Sequence, residues 1–285
     1  MIKAWIRAMR LHTLTVSVAT VLAAAALTLR YGCFKPVAVA LCMVFALLAQ
    51  ITSNFANEYY DFKQGLDKKG RAGFRRGVTE GDITPSAIKT GTFVTLAMAC
   101  AIGLCLTYYG GLWLIWAGLA IAVAALAYST GPYPLSQHGL GEVAVVFFFG
   151  IVPVNLTFYV CSLGWNLQVF LTSLSMGLLI SNVMIVNNYR DCDDDRSVGK
   201  HTLAVLIGRR STAAIYLLNG YAAVALMWGL WSESVAPVIA SVVFLALHTL
   251  VWWRMIHSEG AALNPVLGLT AKLSLLYSLL FLLFT

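Results

Sequence analysis

A chain of 285 residues that is 60% hydrophobic and only 11% charged is not an ordinary soluble domain, which carries about 25% charged residues. Its net charge of +7 does not point to nucleic acid, because the basic residues stand beside apolar runs instead of forming a basic domain. Six dispersed cysteines without a Cys-x-x-Cys pair read as apolar packing residues, and five scattered histidines give little support to a zinc or haem site.

In chain order, Lys3, Arg7 and Arg10 precede an apolar run containing Ala23–Ala26, the outline of a signal peptide. The run is as long as a membrane span and the rest of the chain is equally apolar, so a retained first helix is expected. His12 and Thr13, just ahead of it, lie within reach of a site at that end of the span, though a place at the membrane interface is the first expectation. Runs long enough to cross about 30 Å of hydrocarbon occur near 13–30, 36–57, 86–109, 112–130, 142–163, 166–188, 211–231, 235–253 and 263–284. This predicts an all-α membrane protein of nine transmembrane helices, with no strand-period alternation to compete. Lys272 falls inside the last run, where it either snorkels or pairs inward.

Basic residues concentrate on alternate connections. With the N-terminus in the cytoplasm, sixteen lie on that side and two, Arg30 and Lys35, on the other. The positive-inside rule then puts the C-terminus outside.

Nine of the twelve carboxylates fall in two places: Glu58, Asp61, Asp67, Glu80 and Asp82 after the second run, and Asp191, Asp193, Asp194 and Asp195 after the sixth. Both are on the predicted cytoplasmic side. Acids at a membrane boundary are costly and mark ion or substrate sites. The first cluster is Asn54-Phe-Ala-Asn57-Glu58-Tyr-Tyr-Asp61 and the second is Asn187-Asn188-Tyr-Arg190-Asp191-Cys-Asp193-Asp194-Asp195. Asn54, Asn57 and Asp61 share the spacing i, i+3, i+7 with Asn188, Asp191 and Asp195, so each trio would share one helix face. The chain is expected to be a single domain, 1–285, with a pseudo-repeat at about 36–130 and 166–253.

Magnesium takes oxygen ligands and is commonly shared between carboxylates and substrate phosphates. Two facing carboxylate clusters suit Mg²⁺ bridging a diphosphate, with Lys63, Arg71, Arg75, Arg76, Arg190, Arg196 and Lys200 available for the other phosphate oxygens. A hydrophobic chain would lie among the helices. An allylic diphosphate ionised there would leave a carbocation that water exclusion protects and faces such as Tyr59, Tyr60 or Tyr128 stabilise. Capping or solvated acids are the plainer alternative, and Asp193 and Asp194 are expected to face solvent.

These motifs resemble the UbiA-type intramembrane prenyltransferases over nearly the whole chain, and within them the 1,4-dihydroxy-2-naphthoate branch. The family's first motif, N-D-x-x-D with a further Asp, is matched by Asn57-Glu58-Tyr-Tyr-Asp61 and Asp67, with Glu58 as a departure. Its second, D-x-x-x-D, is Asp191 to Asp195. Asn187-Asn188-Tyr-Arg-Asp191, Gly199-Lys200-His-Thr202-Leu203 and Gly139-Leu-Gly141-Glu142 after Tyr128-Ser-Thr-Gly131 resemble the naphthoate branch, and Arg75-Arg76-Gly77 fits a basic element after the first motif.

The resemblance implies a bundle around a central cavity open sideways to lipid. The two motifs would bind Mg²⁺ and a prenyl diphosphate, with Asn57, Asp61, Asp191 and Asp195 as the metal–diphosphate core. Asp67 would support that core or act as a base. Lys63, Arg76 and Lys200 would hold phosphate, and Tyr128, Glu142 and Asn188 would border the substrate. The expected reaction is attack of an aromatic ring carbon on the allylic carbon, with loss of CO₂ and diphosphate, giving demethylmenaquinone at the cytoplasmic face of a bacterial inner membrane. No obligate protein partner is expected. The alternatives are another acceptor (4-hydroxybenzoate, homogentisate or a tetrapyrrole) and, from a different class, a cation transporter. Acids at the ends of unbroken spans count against transport, whose sites lie near the bilayer midplane.

Overall fold

The computed structural model describes residues 2–67, 69–70, 72–232 and 234–284, with no description of the His12 side chain. Lys68 and Arg71 of the first basic stretch, and the expectation for His12, therefore lie outside the described residues. All regular structure among them is helical: α1 (Ile2–Ala8), α2 (Leu11–Arg30), α3 (Pro36–Lys63), α4 (Pro85–Gly110), α5 (Leu114–Ala127), α6 (Gly141–Val145), α7 (Val152–Ser162), α8 (Leu167–Ser197), α9 (Leu203–Leu226), α10 (Trp228–Trp231), α11 (Val235–Ile256) and α12 (Leu263–Phe284).

Seven helical stretches of the described residues are long and apolar enough to cross a membrane. The other two runs read as spans fall on α5, only 14 residues long, and on α9, which carries Arg209 and Arg210 beside a non-helical Gly208 (φ +80°). The outward faces of α4, α5 and α11 expose Phe93, Met98, Leu104, Trp116, Val123, Val242 and Leu250. Such contiguous apolar surface is stable only in lipid, so this is a multi-pass integral membrane protein.

Local sequence sets the helix ends. Pro36 and Pro85 occupy first-turn positions, where a missing N–H costs nothing. The Thr84 hydroxyl and the Asn166 side-chain oxygen accept from the backbone N–H of Ala87 and Gln168, capping α4 and α8. The two helices that bear the acidic motifs run past their apolar stretches. α3 continues to Lys63 and α8 to Ser197, so both motifs are helical throughout, not loops.

α6, a π-helical turn (Val146–Ile151) and α7 form one continuous helix. The turn ends two residues before Pro153, which has no N–H to give to residue 149 and whose ring would crowd that carbonyl. Its inserted residue rotates everything downstream by about 100° relative to α6. The turn is accommodated by contact between Gly150 and Gly177 of α8: a Cβ on Gly150 would collide with the Gly177 backbone.

The largest core cluster joins α2, α7, α8, α9, α11 and α12 through residues such as Leu27, Val154, Met176, Tyr216, Phe244 and Tyr277. A smaller cluster of Ala4, Ala8, Phe55, Val78, Ile83 and Ile88 anchors α1 and the segment around residues 77–83 to the ends of α3 and α4. Trp5 packs edge-on to Phe55, ring centroids 5.4 Å apart. These contacts fix the floor on which the first acidic motif stands. Lys272 on α12 is exposed, which favours snorkelling over inward pairing.

Candidate active site

The C-terminal turns of α3 and α8 meet at one cavity. At the α3 end, Asn57 and Asp61 are buried, at 8% and 1% exposure. The Asn57 amide donates to Asp61 Oδ2 (3.3 Å) and to Ser129 Oγ (3.2 Å), while its carbonyl accepts from Arg10 (2.6 Å). Glu58 turns the other way, and its Oε1 accepts from the Val78 backbone N–H (2.9 Å). It organises the segment after α3 instead of joining the cavity wall. Asp67 is buried beside Arg76, Oδ2 to Nε 3.4 Å. Arg76 lines the cavity and Asp67 does not, so Asp67 stands behind the wall, beside Arg76.

At the α8 end, Asn188, Asp191 and Asp195 line the same cavity. The Arg190 guanidinium forks onto both Asp191 oxygens (2.8 Å each). It also donates to Asn187 and Asn264 and lies 5.6 Å from the Phe74 ring centroid. Asn264 in turn donates to the Ala72 carbonyl (3.2 Å). One side chain thus ties the second motif to the segment that follows the first.

Lys200 joins the two ends. Its backbone N–H donates to the Asp195 carbonyl (2.9 Å), closing the end of α8 just after Gly199 (φ +76°). Its Nζ then reaches across to Asp61 Oδ2, 2.9 Å away. Burial alone would push the ammonium's pKa down. The Asp61 carboxylate, backed by Asp195 and Asp67, outweighs that and holds Lys200 above its ordinary value. Lys200 therefore stays charged throughout the neutral range.

The cavity holds about 1130 Å³ of space not filled by protein, its open mouth included. Through Ser53, Tyr128 and Phe149 it shares its wall with a second hollow of about 1110 Å³. That one is lined almost wholly by apolar residues such as Val21, Phe45, Leu106, Ile121, Phe148 and Leu156. A charged rim opening onto a greasy interior suits a ligand with an anionic head and a hydrocarbon tail.

Several expected residues sit elsewhere. Lys63 is exposed and off the cavity wall, because two residues beyond Asp61 is about 200° around a helix. Arg75 forks outward onto Asp82 (2.8 and 2.9 Å) and holds that carboxyl below its usual range. That pair is exposed and contributes little. Arg196 and Asp193 are exposed as well, and Asp193 pairs with Arg209 at 3.1 Å. Tyr128 lines the cavity, its hydroxyl donating to Met184 Sδ (3.5 Å). Glu142 does not line it: it stands behind Asn188, whose amide donates to Glu142 Oε1 (2.7 Å). Thr13 is on the wall rather than at a free interface. The sequence reading missed Arg10, Phe74, Ser136 and Thr202, all on the wall. Arg10 passes for an ordinary basic residue flanking a span, and its partner lies 47 residues away.

No three His, Cys, Asp or Glu side chains among the described residues converge closely enough to hold a metal ion by themselves. The donor set still fits Mg²⁺. Asp61 Oδ1 is buried without a hydrogen-bond partner, a costly arrangement that a cation relieves. Asn57, Asp61, Asp191 and Asp195, all bearing oxygen donors, line one cavity. Mg²⁺ is often held by one or two carboxylates plus substrate phosphates, keeping water for the rest. An ion bridged by a diphosphate suits two separated carboxylate ends better than a closed cage would.

The model of the UbiA prenyltransferase family matches residues 17–277. The chain is 32% identical over 301 residues to 1,4-dihydroxy-2-naphthoate octaprenyltransferase of Escherichia coli (strain K12), covering 99% of this chain and 94% of that one. It is 32% identical to the protein of the same name from Bacillus subtilis (strain 168), over 84% of this chain and 76% of the other. Among solved structures, a UbiA homolog from Archaeoglobus fulgidus bound to GPP and Mg²⁺ superposes with a TM-score of 0.69 at 13% identity, covering 98% of this chain and 99% of that one. The apo UbiA homolog from Aeropyrum pernix K1 gives 0.69 at 17% identity, covering 96% of each. At such identities the structural likeness speaks to the fold alone.

Proposed function

This chain belongs to the UbiA prenyltransferase family and is an enzyme of prenyl transfer; from that premise we propose that it moves a polyprenyl group from its diphosphate to the ring of 1,4-dihydroxy-2-naphthoate. The observation that carries this reading is the Lys200–Asp61 bridge. It ties the two motif-bearing helix ends at the mouth of an apolar hollow. The names of the relatives from Escherichia coli and Bacillus subtilis support the naphthoate acceptor.

On this reading Asn57, Asp61, Asp191 and Asp195 hold Mg²⁺, and the ion, when bound, neutralises charge that grows on the departing diphosphate. Lys200 and Arg76 bind the remaining phosphate oxygens, and Asp67 keeps Arg76 aimed at them. The prenyl tail lies in the apolar hollow, where exclusion of water protects the allylic cation. Tyr128 presents a π face toward it. The ring carbon attacks the allylic carbon as its bond to diphosphate breaks, the acceptor's carboxylate leaves as CO₂, and the product keeps the acceptor's oxidation level as the hydroquinone form of demethylmenaquinone.

The proposal extends to topology. We read the chain as one intramembrane domain, 1–285, with nine spans and a duplicated core at about 36–130 and 166–253. Its N-terminus and active site face the cytoplasm of a bacterial inner membrane, and its C-terminus lies outside. The short α5 and basic α9 complete the nine.

Mass spectrometry of products from a panel of aromatic acceptors and prenyl donors tests the reaction. The expected product has gained the prenyl group and lost CO₂ from the naphthoate. A product that keeps the carboxylate, or prenylation of hydroxybenzoate alone, would overturn the assignment. A charge-assisted hydrogen bond contributes about 1.5–3 kcal/mol. Lys200→Ala is accordingly expected to raise KM for the prenyl diphosphate by about 10- to 100-fold with little change in KM for the acceptor. Unchanged donor KM would remove Lys200 from the phosphate site.

A further inference from the structure

Glu142 is 7% exposed and Asn188 6% exposed, so their 2.7 Å contact is made away from water. A carboxamide has a donor end and an acceptor end, and its neighbours decide which faces which way. In this contact the Asn188 NH₂ donates to Glu142 Oε1, so the amide's donor end faces Glu142. That hydrogen bond is the only one the Asn188 side chain makes among the described residues. Its carbonyl oxygen is left to the cavity that Asn188 lines.

The position is informative. Asn188 lies one turn before Asp191 on the same face of α8, deeper in the membrane than the motif that faces the diphosphate head. One turn further in is Met184, which meets the Tyr128 hydroxyl. A Cβ on Gly141 would lie 3.6 Å from that hydroxyl. The first turn of α6 therefore supports both Asn188, on the wall of the charged cavity, and Tyr128, which is shared by that cavity and the apolar hollow.

We propose that Glu142 is a positioning residue that fixes the Asn188 carbonyl toward the cavity, where it accepts a hydrogen bond from a ring hydroxyl of the phenolic acceptor. The inference deepens the reading above and rests on it for the acceptor's chemical class. As the ring carbon attacks, electron density moves from the hydroxyl oxygen into the ring and its proton becomes more acidic. A bond to a fixed carbonyl strengthens at that moment and favours the transition state over the bound substrate. An acceptor without that hydroxyl would leave a buried carbonyl unpaired, which is how a site rejects such analogues.

The test is steady-state kinetics of the full chain in detergent with Mg²⁺, geranyl diphosphate, and either 1,4-dihydroxy-2-naphthoate or its O-methyl ethers. The variants are Glu142→Ala, Glu142→Gln, Asn188→Ala and the Glu142→Ala/Asn188→Ala pair. Each alanine variant is expected to lower kcat/KM for the acceptor about tenfold, the scale of one hydrogen bond, with KM for geranyl diphosphate unchanged. Glu142→Gln keeps an acceptor oxygen and should stay within about threefold of wild type. The double variant should be no worse than Asn188→Ala, since Glu142 acts only through Asn188. Unaltered protein should lose about tenfold on one of the O-methyl ethers, a comparison that needs no mutant to fold.

Additive losses in the double variant, an equal rise in donor KM, or indifference to O-methylation would each overturn the inference while leaving the naphthoate reading intact. If wild type prenylates a different phenol, the naphthoate assignment fails and the same series on that phenol decides the role of Glu142. If it prenylates no phenol, both fall.

Discussion

Asp61→Ala and Asp191→Ala are each expected to cut turnover by about 10³-fold while the protein still folds, a loss of several kcal/mol in transition-state stabilisation. The effect is large because, on the proposed reading, the two residues do one job from two facing C-terminal helix ends. Asp61 carries a buried oxygen without a hydrogen-bond partner, and Asp191 presents both oxygens to a guanidinium. On the proposed reading, removing either leaves half of a shared cation site and takes from a buried cation, Lys200 or Arg190, the carboxylate it contacts. The measurement is single-turnover product formation at saturating donor and acceptor, with elution on gel filtration as the check on folding. Rates within about tenfold of wild type in either variant would remove that residue from the metal–diphosphate core.

Gly150→Val is expected to destabilise the protein by about 3 kcal/mol or more, the upper end for overpacking, and so to abolish a monodisperse preparation. The added carbon would meet the Gly177 backbone, which no side-chain rotation can relieve. Close approach through small residues is a common way for membrane helices to pack, and here it also seats the π-helical turn that links Glu142 to Phe148 and Phe149. Gly268→Ala in α12 is the control: its added methyl meets nothing within 4 Å. That change should be neutral or stabilise by about 0.4–1 kcal/mol by restricting the unfolded chain. Thermal unfolding followed by gel filtration separates the two. A Gly150→Val protein as stable as the Gly268→Ala one would contradict the packing.

The acidic motifs were legible because charge is conspicuous in a lipid-like sequence. Asn54, Asn57, Asp61, Asn188, Asp191 and Asp195 all line one cavity, as the shared i, i+3, i+7 spacing suggested. Less legible was how far the helices run. The apolar stretch ends near residue 57, but α3 continues to Lys63, and that continuation carries Glu58 and Lys63 off the cavity face. Likewise α9 begins at Leu203, ahead of the apolar run, with a short first segment set off from the rest by the non-helical Gly208. Arg10 was invisible for a different reason: only the fold brings its guanidinium to Asn57. Glu142 was singled out by its motif but stands one contact behind the cavity wall, since sequence cannot tell a wall residue from the one behind it. The π-helical turn left only Pro153 and Gly150 as traces, too common in membrane helices to be read alone.

The central claim is that the ends of α3 and α8 clamp a prenyl diphosphate through magnesium. Calorimetric titration of the purified full chain with geranyl diphosphate, in the absence of any acceptor, tests it most directly. The account predicts saturable binding in Mg²⁺ that disappears with EDTA and in Asp61→Ala and Asp191→Ala alike. Binding of equal strength in EDTA, or undiminished in both variants, would contradict it.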